Sequence, residues 1–251
     1  MSERQFRIWR GNSSGGDFKD YKVEVDNGMV VLDVVHRIQR DQANDLAVRW
    51  NCKAGKCGSC SMEINGKPKL ACMTRMDTLD EGTVTVQPVK TFPVIRDLVT
   101  DVSWNYKQKT RIPKFKPRPR DADGQYRMMQ QDVDRIQEFR KCIECYLCQD
   151  VCHVLRDQKK LDKFVGPRFM IYLANLEMHP LDTEDRIEKI RDEYGSGMCN
   201  ITKCCADVCP EHINLTDNGI IPLKERVVDR YYDPIAWLLR AIGGQKAKGA
   251  K

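Results

Sequence analysis

The sequence predicts an α+β protein in which a small sheet-forming N-terminal unit precedes an all-helical one. Three observations carry this. Before about residue 106 several short segments alternate apolar and polar side chains, the strand pattern, whereas after about residue 130 apolar side chains recur at helical spacing. A proline-rich basic stretch, Thr110 to Arg120, lies between and suits neither a helix nor a central strand. Twelve cysteines in 251 residues fall into three groups, one in the first part and two in the second.

In order along the chain, Phe6–Trp9 and Tyr21–Val25 alternate as two strands of a hairpin, joined by the Gly/Ser-rich loop from Gly11 to Gly16. Val31, Val34, Val35 and Ile38 place an apolar face on a helix over Val30–Arg40. Met62–Ile64 and Lys69–Cys72 flank Asn65-Gly66, a tight-turn signal, and Thr83–Val86 is a last short strand. Helices are expected over Val94–Tyr106, Asp132–Cys142, Gly166–Met178, Thr183–Tyr194 and Asn218–Arg230. The domains are then 1–106, 107–230 and a C-terminal extension, 231–251. In that extension the apolar run Pro234–Ile242, with Trp237, precedes a basic end and suits either docking on an anchor or membrane face or packing on its own domain.

Forty-two Lys and Arg against 36 Asp and Glu leave a charge of +6, and 41% hydrophobic residues fit a globular chain. The start lacks the apolar core of a signal peptide, and no stretch reaches the roughly 18 apolar residues of a membrane span. A reducing compartment is expected, where twelve thiols point to metal ligation rather than disulfides. The basic stretch has no accompanying aromatic platform, so a solvated or subunit-facing loop is preferred to nucleic-acid binding.

The first group, Cys52, Cys57, Cys60 and Cys72, begins C-x4-C-x2-C, the spacing of plant-type [2Fe–2S] ferredoxins, and the surrounding strands suit a β-grasp domain. A zinc site is the competing reading, although x4 followed by x2 is unlike zinc knuckles. The second group, Cys142, Cys145, Cys148 and Cys152, reads C-x2-C-x2-C-x3-C, the bacterial ferredoxin run whose fourth cysteine serves the other cluster. The third, Cys199, Cys205 and Cys209-Pro210, follows the same template with Thr202 at its second cysteine position. Threonine does not replace a thiolate at a stable iron corner. The expectation is a [4Fe–4S] centre on Cys142, Cys145, Cys148 and Cys209, and a [3Fe–4S] centre on Cys152, Cys199 and Cys205. Cys204 is then spare; were it recruited, the third centre would be a second four-iron cluster.

Cys52-Lys-Ala-Gly-Lys-Cys-Gly-Ser-Cys60, Pro93-Val-Ile-Arg-Asp-Leu-Val-Thr-Asp101, the Cys142 run, Lys163-Phe-Val-Gly-Pro167 and Cys199 to Pro210 together resemble the iron–sulfur subunit of succinate dehydrogenase and fumarate reductase, over residues 5 to 230 or so. The resemblance implies a plant-type ferredoxin domain followed by a helical, bacterial-ferredoxin-like domain. It implies electron transfer from FAD in a partner flavoprotein through three clusters to a quinone. It also implies transmembrane anchor subunits carrying haem, and a place on the cytoplasmic face of a bacterial inner membrane within the respiratory chain and the tricarboxylic acid cycle. Succinate chemistry would belong to the flavoprotein, so no catalytic residue is expected here. Ubiquinone-using members often carry a histidine after the first cysteine of the third run and tryptophans after the second. Here those positions hold Asn200 and Val154-Leu-Arg156-Asp, which favours menaquinone. His153, Asn200 and Thr202 are the candidate quinone or cluster neighbours.

Overall fold

A computed structural model describes residues 2–235 and Leu238; Trp237 and the basic end of the tail lie outside the described residues. The chain begins with two long antiparallel strands, β1 (Ser2–Asn12) and β2 (Gly15–Val25), in register from Ser2 against Val25 to Asn12 against Gly15. The Gly/Ser-rich segment is therefore mostly strand, with only Ser13 and Ser14 in the turn. Gly11 faces Gly16 across the hairpin, and a Cβ on either would come within 2.6 Å of the opposite backbone.

Helix α1 (Val31–Asp41) buries the expected Val31, Val34, Val35 and Ile38. The Val30 amide is bonded by the Asp33 carboxylate at 3.1 Å, which closes the helix start. Strands β3 (Ser61–Ile64) and β4 (Lys67–Leu70) form the hairpin around Asn65-Gly66, and β5 (Val84–Gln87) joins β3 antiparallel and β1 parallel. Phe6, Ile8, Met62, Ile64, Val84 and Val86 pack beneath α1 in one apolar core.

The helix expected over Val94–Tyr106 is not formed as such. The segment is β6 (Val94–Arg96), a turn, β7 (Val99–Thr100), and then α2 (Ser103–Arg111). The cause is Asp97. It turns the chain with φ 48°, and its buried carboxylate accepts the amides of Gly11 at 3.0 Å and Ala47 at 2.8 Å while pairing with Arg10 at 3.1 Å. These long-range bonds outweigh the local apolar periodicity.

The second core belongs to helices. α3 (Gln130–Gln137) runs into a 3-10 turn to Lys141, followed by the short helices α4 (Leu147–Asp150) and α5 (His153–Arg156). α6 (Pro167–Glu177) starts on proline, tolerated at a first turn, and is buried along most of its length. α7 (Ile187–Asp192) is shorter than the Thr183–Tyr194 helix expected, α8 (Cys204–Asp207) is a single turn, and α9 (Ile221–Tyr231) follows a π-helical turn, Leu215–Ile220. Among the described residues no helix is long and apolar enough to cross a membrane.

The start of α7 is delayed because the residues before it serve the proline-rich stretch. Thr183 donates its amide to the Lys116 carbonyl, and Arg118 donates its own to Leu181. The fully buried Arg186 donates to the carbonyls of Pro113 and Lys114 and pairs with Glu177 at 3.2 Å and Asp182 at 3.0 Å. Burial pushes the Glu177 carboxyl upward despite the Arg186 bonds. Removing one member of such a buried network leaves uncompensated charge and costs on the order of 3 kcal/mol or more. Arg186→Ala is therefore expected to lower the melting temperature by roughly 6–12 °C and to open Lys114–Lys116 to protease, as thermal denaturation and limited proteolysis would read.

Candidate metal centres

All twelve cysteines are free thiols, and they are gathered in three places. The first is the loop Cys52–Cys60 with Cys72. Gly55 and Gly58 both have φ +68°, a conformation that curls the loop and turns its amides inward. Ala54 and Lys56 point their N–H groups at the Cys52 sulfur, each at 3.3 Å, Gly55 at that of Cys72 at 3.3 Å, and Cys72 at that of Cys60 at 3.4 Å. Burial raises the Cys57 thiol, but bonds from Ser59 and Cys52 outweigh it and bring it down to about 7; burial pushes Cys60 up to about 12.

The second place is a cavity lined by Cys142, Cys145, Cys148 and Cys209 together with Arg168, Ile171 and Leu215. The third is lined by Cys152, Cys199, Cys204 and Cys205, with His153, Asn200, Thr202 and Thr216. The two runs build them with one repeated backbone. Glu144 and Tyr146 have φ 56° and 62°, and Ile201 and Lys203 have φ 61° and 62°. Tyr146 and Lys203 precede α4 and α8, each carrying a cavity cysteine. In this repeat Thr202 stands where the other run has Cys145.

His153, Asn200 and Thr202 thus line the third cavity together, and the His153 Nε2 is buried with no hydrogen-bond partner. Burial raises the thiols of Cys145 and Cys205 to about 12 and those of Cys148, Cys152 and Cys209 above their ordinary value. Buried thiols crowded in this way ionise only against positive charge in the same cavity, and bound metal supplies it. The donor sets fit iron–sulfur clusters: all sulfur, partly enclosed, with amides directed at sulfur, including Ile213 N–H at 3.4 Å from Cys209.

The two units meet through the metal loops themselves. A Cβ on Gly58 would lie 2.6 Å from the Cys145 Cα, so the first loop rests directly on the backbone of the second run. The Ser61 hydroxyl lies 2.8 Å from both the Gly58 and Cys145 carbonyls and shares its hydrogen between them. Leu147 inserts into the N-terminal core, and Lys56 pairs with Glu211 at 3.2 Å.

Sequence reasoning did not single out three buried charged residues, one in a cavity wall and two on the elements that carry the cysteine runs. Arg168, nearly buried in the wall of the second cavity, pairs with Glu144 at 2.7 Å. Glu63, fully buried in β3, pairs with Arg156 at 2.8 Å. Asp150, in α4, takes the Lys90 and Thr91 amides at 2.8 and 3.0 Å, and burial pushes it up to about 6. The one available signal was Arg168 directly after Gly166-Pro167; the partners of the other two lie 24 or more residues away along the chain.

Comparison with known proteins agrees with this architecture. Residues 5–107 match a family of 2Fe-2S iron-sulfur cluster binding domains and residues 138–213 a family of 4Fe-4S dicluster domains. The chain is 34% identical over 210 residues to the fumarate reductase iron-sulfur subunit of Mycobacterium tuberculosis, covering 80% of this chain and 82% of that one. It is 31% identical over 224 residues to an uncharacterized iron-sulfur protein of Methanococcus maripaludis, of whose length it spans 42%. A chain of the Mycobacterium smegmatis Sdh1 complex, solved in the apo form, is 62% identical and superposes with a TM-score of 0.90 over 93% of this chain and 98% of that one. Three thiol groups in this order, on a ferredoxin-type unit followed by a dicluster unit, place the chain in the family of iron–sulfur subunits of succinate dehydrogenases and fumarate reductases.

Proposed function

We propose that this chain is the electron-transfer subunit of a membrane-bound succinate:quinone oxidoreductase. Residues 1–106 form a β-grasp domain with a [2Fe–2S] cluster on Cys52, Cys57, Cys60 and Cys72. Residues 107–230 hold a [4Fe–4S] cluster on Cys142, Cys145, Cys148 and Cys209 and a [3Fe–4S] cluster on Cys152, Cys199 and Cys205. The clusters supply one-electron storage and transfer. FAD resides in a flavoprotein partner that oxidises succinate, and haem in transmembrane anchor subunits, through which this chain is held peripherally on the cytoplasmic face of a bacterial inner membrane. The same chain geometry serves a fumarate reductase running in reverse.

One observation carries the relay role: the three thiol groups are contiguous. The first loop touches the second cavity at Gly58 and Cys145, and Cys148 and Cys152, four residues apart, line the second and third cavities. The chain's own residues fix this line. Asp150 ties the second run to Lys90 and Thr91, Arg168 sets positive charge beside the second thiol group, and Cys60, Cys72, Cys148, Cys152 and Cys205 are buried in the two apolar cores.

The quinone is menaquinone, bound near the third cavity, whose lining includes His153, Asn200 and Thr202. Support comes from Asn200 and Val154, which stand where ubiquinone-using relatives carry histidine and tryptophan. Succinate-driven reduction of menaquinone and ubiquinone analogues by the purified complex tests this. Menaquinone is expected to be reduced at least several-fold faster; a strong ubiquinone preference contradicts it.

A further inference from the structure

The twelfth cysteine lies in the wall of the third cavity. Cys204 lines it with Cys152, Cys199 and Cys205, so this cavity, like the second, is bounded by four cysteines. The repeated backbone puts Thr202 on the corner that Cys145 fills in the other run. The Cys204 sulfur is 3.3 Å from the Thr202 hydroxyl, beside that corner, and 3.6 Å from the Val151 carbonyl, to which its thiol donates. Part of the side chain is open to solvent, so an ion can enter and a proton can leave.

We infer that Cys204 is a conditional fourth ligand: the third centre takes up a ferrous ion and becomes a four-iron cluster when Cys204 turns from the Val151 carbonyl into the open corner. The inference rests on the iron–sulfur reading above. Its balance is simple. A three-iron, four-sulfide core in its reduced, neutral form accepts one ferrous ion and becomes a four-iron core of charge +2, with no electron exchanged. The Cys204 thiol releases its proton to solvent, one iron–thiolate bond forms, and the entering iron bonds to three existing sulfides. Cys204 opens α8, a single turn entered through the left-handed Lys203.

The test uses the intact complex, kept anaerobic, reduced with dithionite and incubated with ferrous iron alone. Iron and acid-labile sulfide are counted and the oxidised-state three-iron EPR signal is followed. The expected result is one more iron per chain in the wild type than in Cys204→Ser after this treatment, with equal sulfide, and at least a several-fold loss of the three-iron signal in the wild type only. A second variant, Thr202→Cys with Cys204→Ala, restores the regular ligand spacing and is expected to hold the extra iron without added ferrous ion. The [2Fe–2S] signal reports that each variant has folded. Equal iron in wild type and Cys204→Ser, with sulfide present in both, overturns the inference alone; absence of sulfide overturns the iron–sulfur reading with it.

Discussion

Cys148→Ala is expected to reduce succinate-driven quinone reduction by the complex by on the order of 100-fold or more. The scale follows from metal sites in general, where even outer partners of a ligand typically cost 10–100-fold in affinity or activity. Cys148 is buried in the wall of the second cavity and sits on α4, between the first thiol group and the third. In the proposed assignment its loss removes one corner of the middle centre and breaks the line of thiol groups at its midpoint. The side chain is small, so little packing is lost and the chain is expected to stay folded. The [2Fe–2S] EPR signal should persist, and a dye reduced directly at the partner flavin should be reduced at the wild-type rate. Full quinone reduction in Cys148→Ala would show that electrons bypass this cavity.

Gly58→Ala is expected to have the second largest effect, through geometry rather than ligation. At φ +68° an alanine costs about 1–2 kcal/mol, and here its Cβ would also meet the Cys145 Cα at 2.6 Å and the Cys145 amide nitrogen at 2.9 Å. Neither neighbour is a flexible chain end, so the first loop must back away from the second run. Electron transfer between the first two centres, followed by rapid-freeze EPR, should slow by on the order of 10-fold, within the 10–100-fold range of other metal-site perturbations. Gly66→Ala is the control: its φ is +75° but nothing lies within 4 Å of the added Cβ. It carries the backbone strain without the contact, and transfer in it should match the wild type. Equal slowing in both variants would mean that strain, and not the meeting of the loops, sets the rate.

Much of this was legible in the sequence because cysteine spacing is a local property. Three thiols within nine residues, Cys52 to Cys60, define a loop whatever surrounds it. The helix over Gly166–Met178 was likewise legible, since its apolar run is continuous and its start is marked by Gly-Pro. What was missed depends on partners far along the chain. Asp97 makes a turn out of apparent helix because Gly11 and Ala47 supply its amide donors. The first turn expected at Thr183 is spent on the proline-rich stretch through Lys116 and Arg186. Arg168, Glu63 and Asp150 are ordinary charged residues in the sequence, and only the fold shows that they are buried. Cys204 was visible as a count, but its place beside Thr202 needed the backbone of the third run.

The central claim is that three contiguous thiol groups hold three iron–sulfur clusters. Iron, zinc and acid-labile sulfide in the purified complex, read with EPR of its oxidised and succinate-reduced states, test it most directly. The expected result is iron and sulfide in near-equal amounts, a three-iron signal when oxidised and a [2Fe–2S] signal on addition of succinate. Zinc in place of iron, with no acid-labile sulfide, would contradict the account.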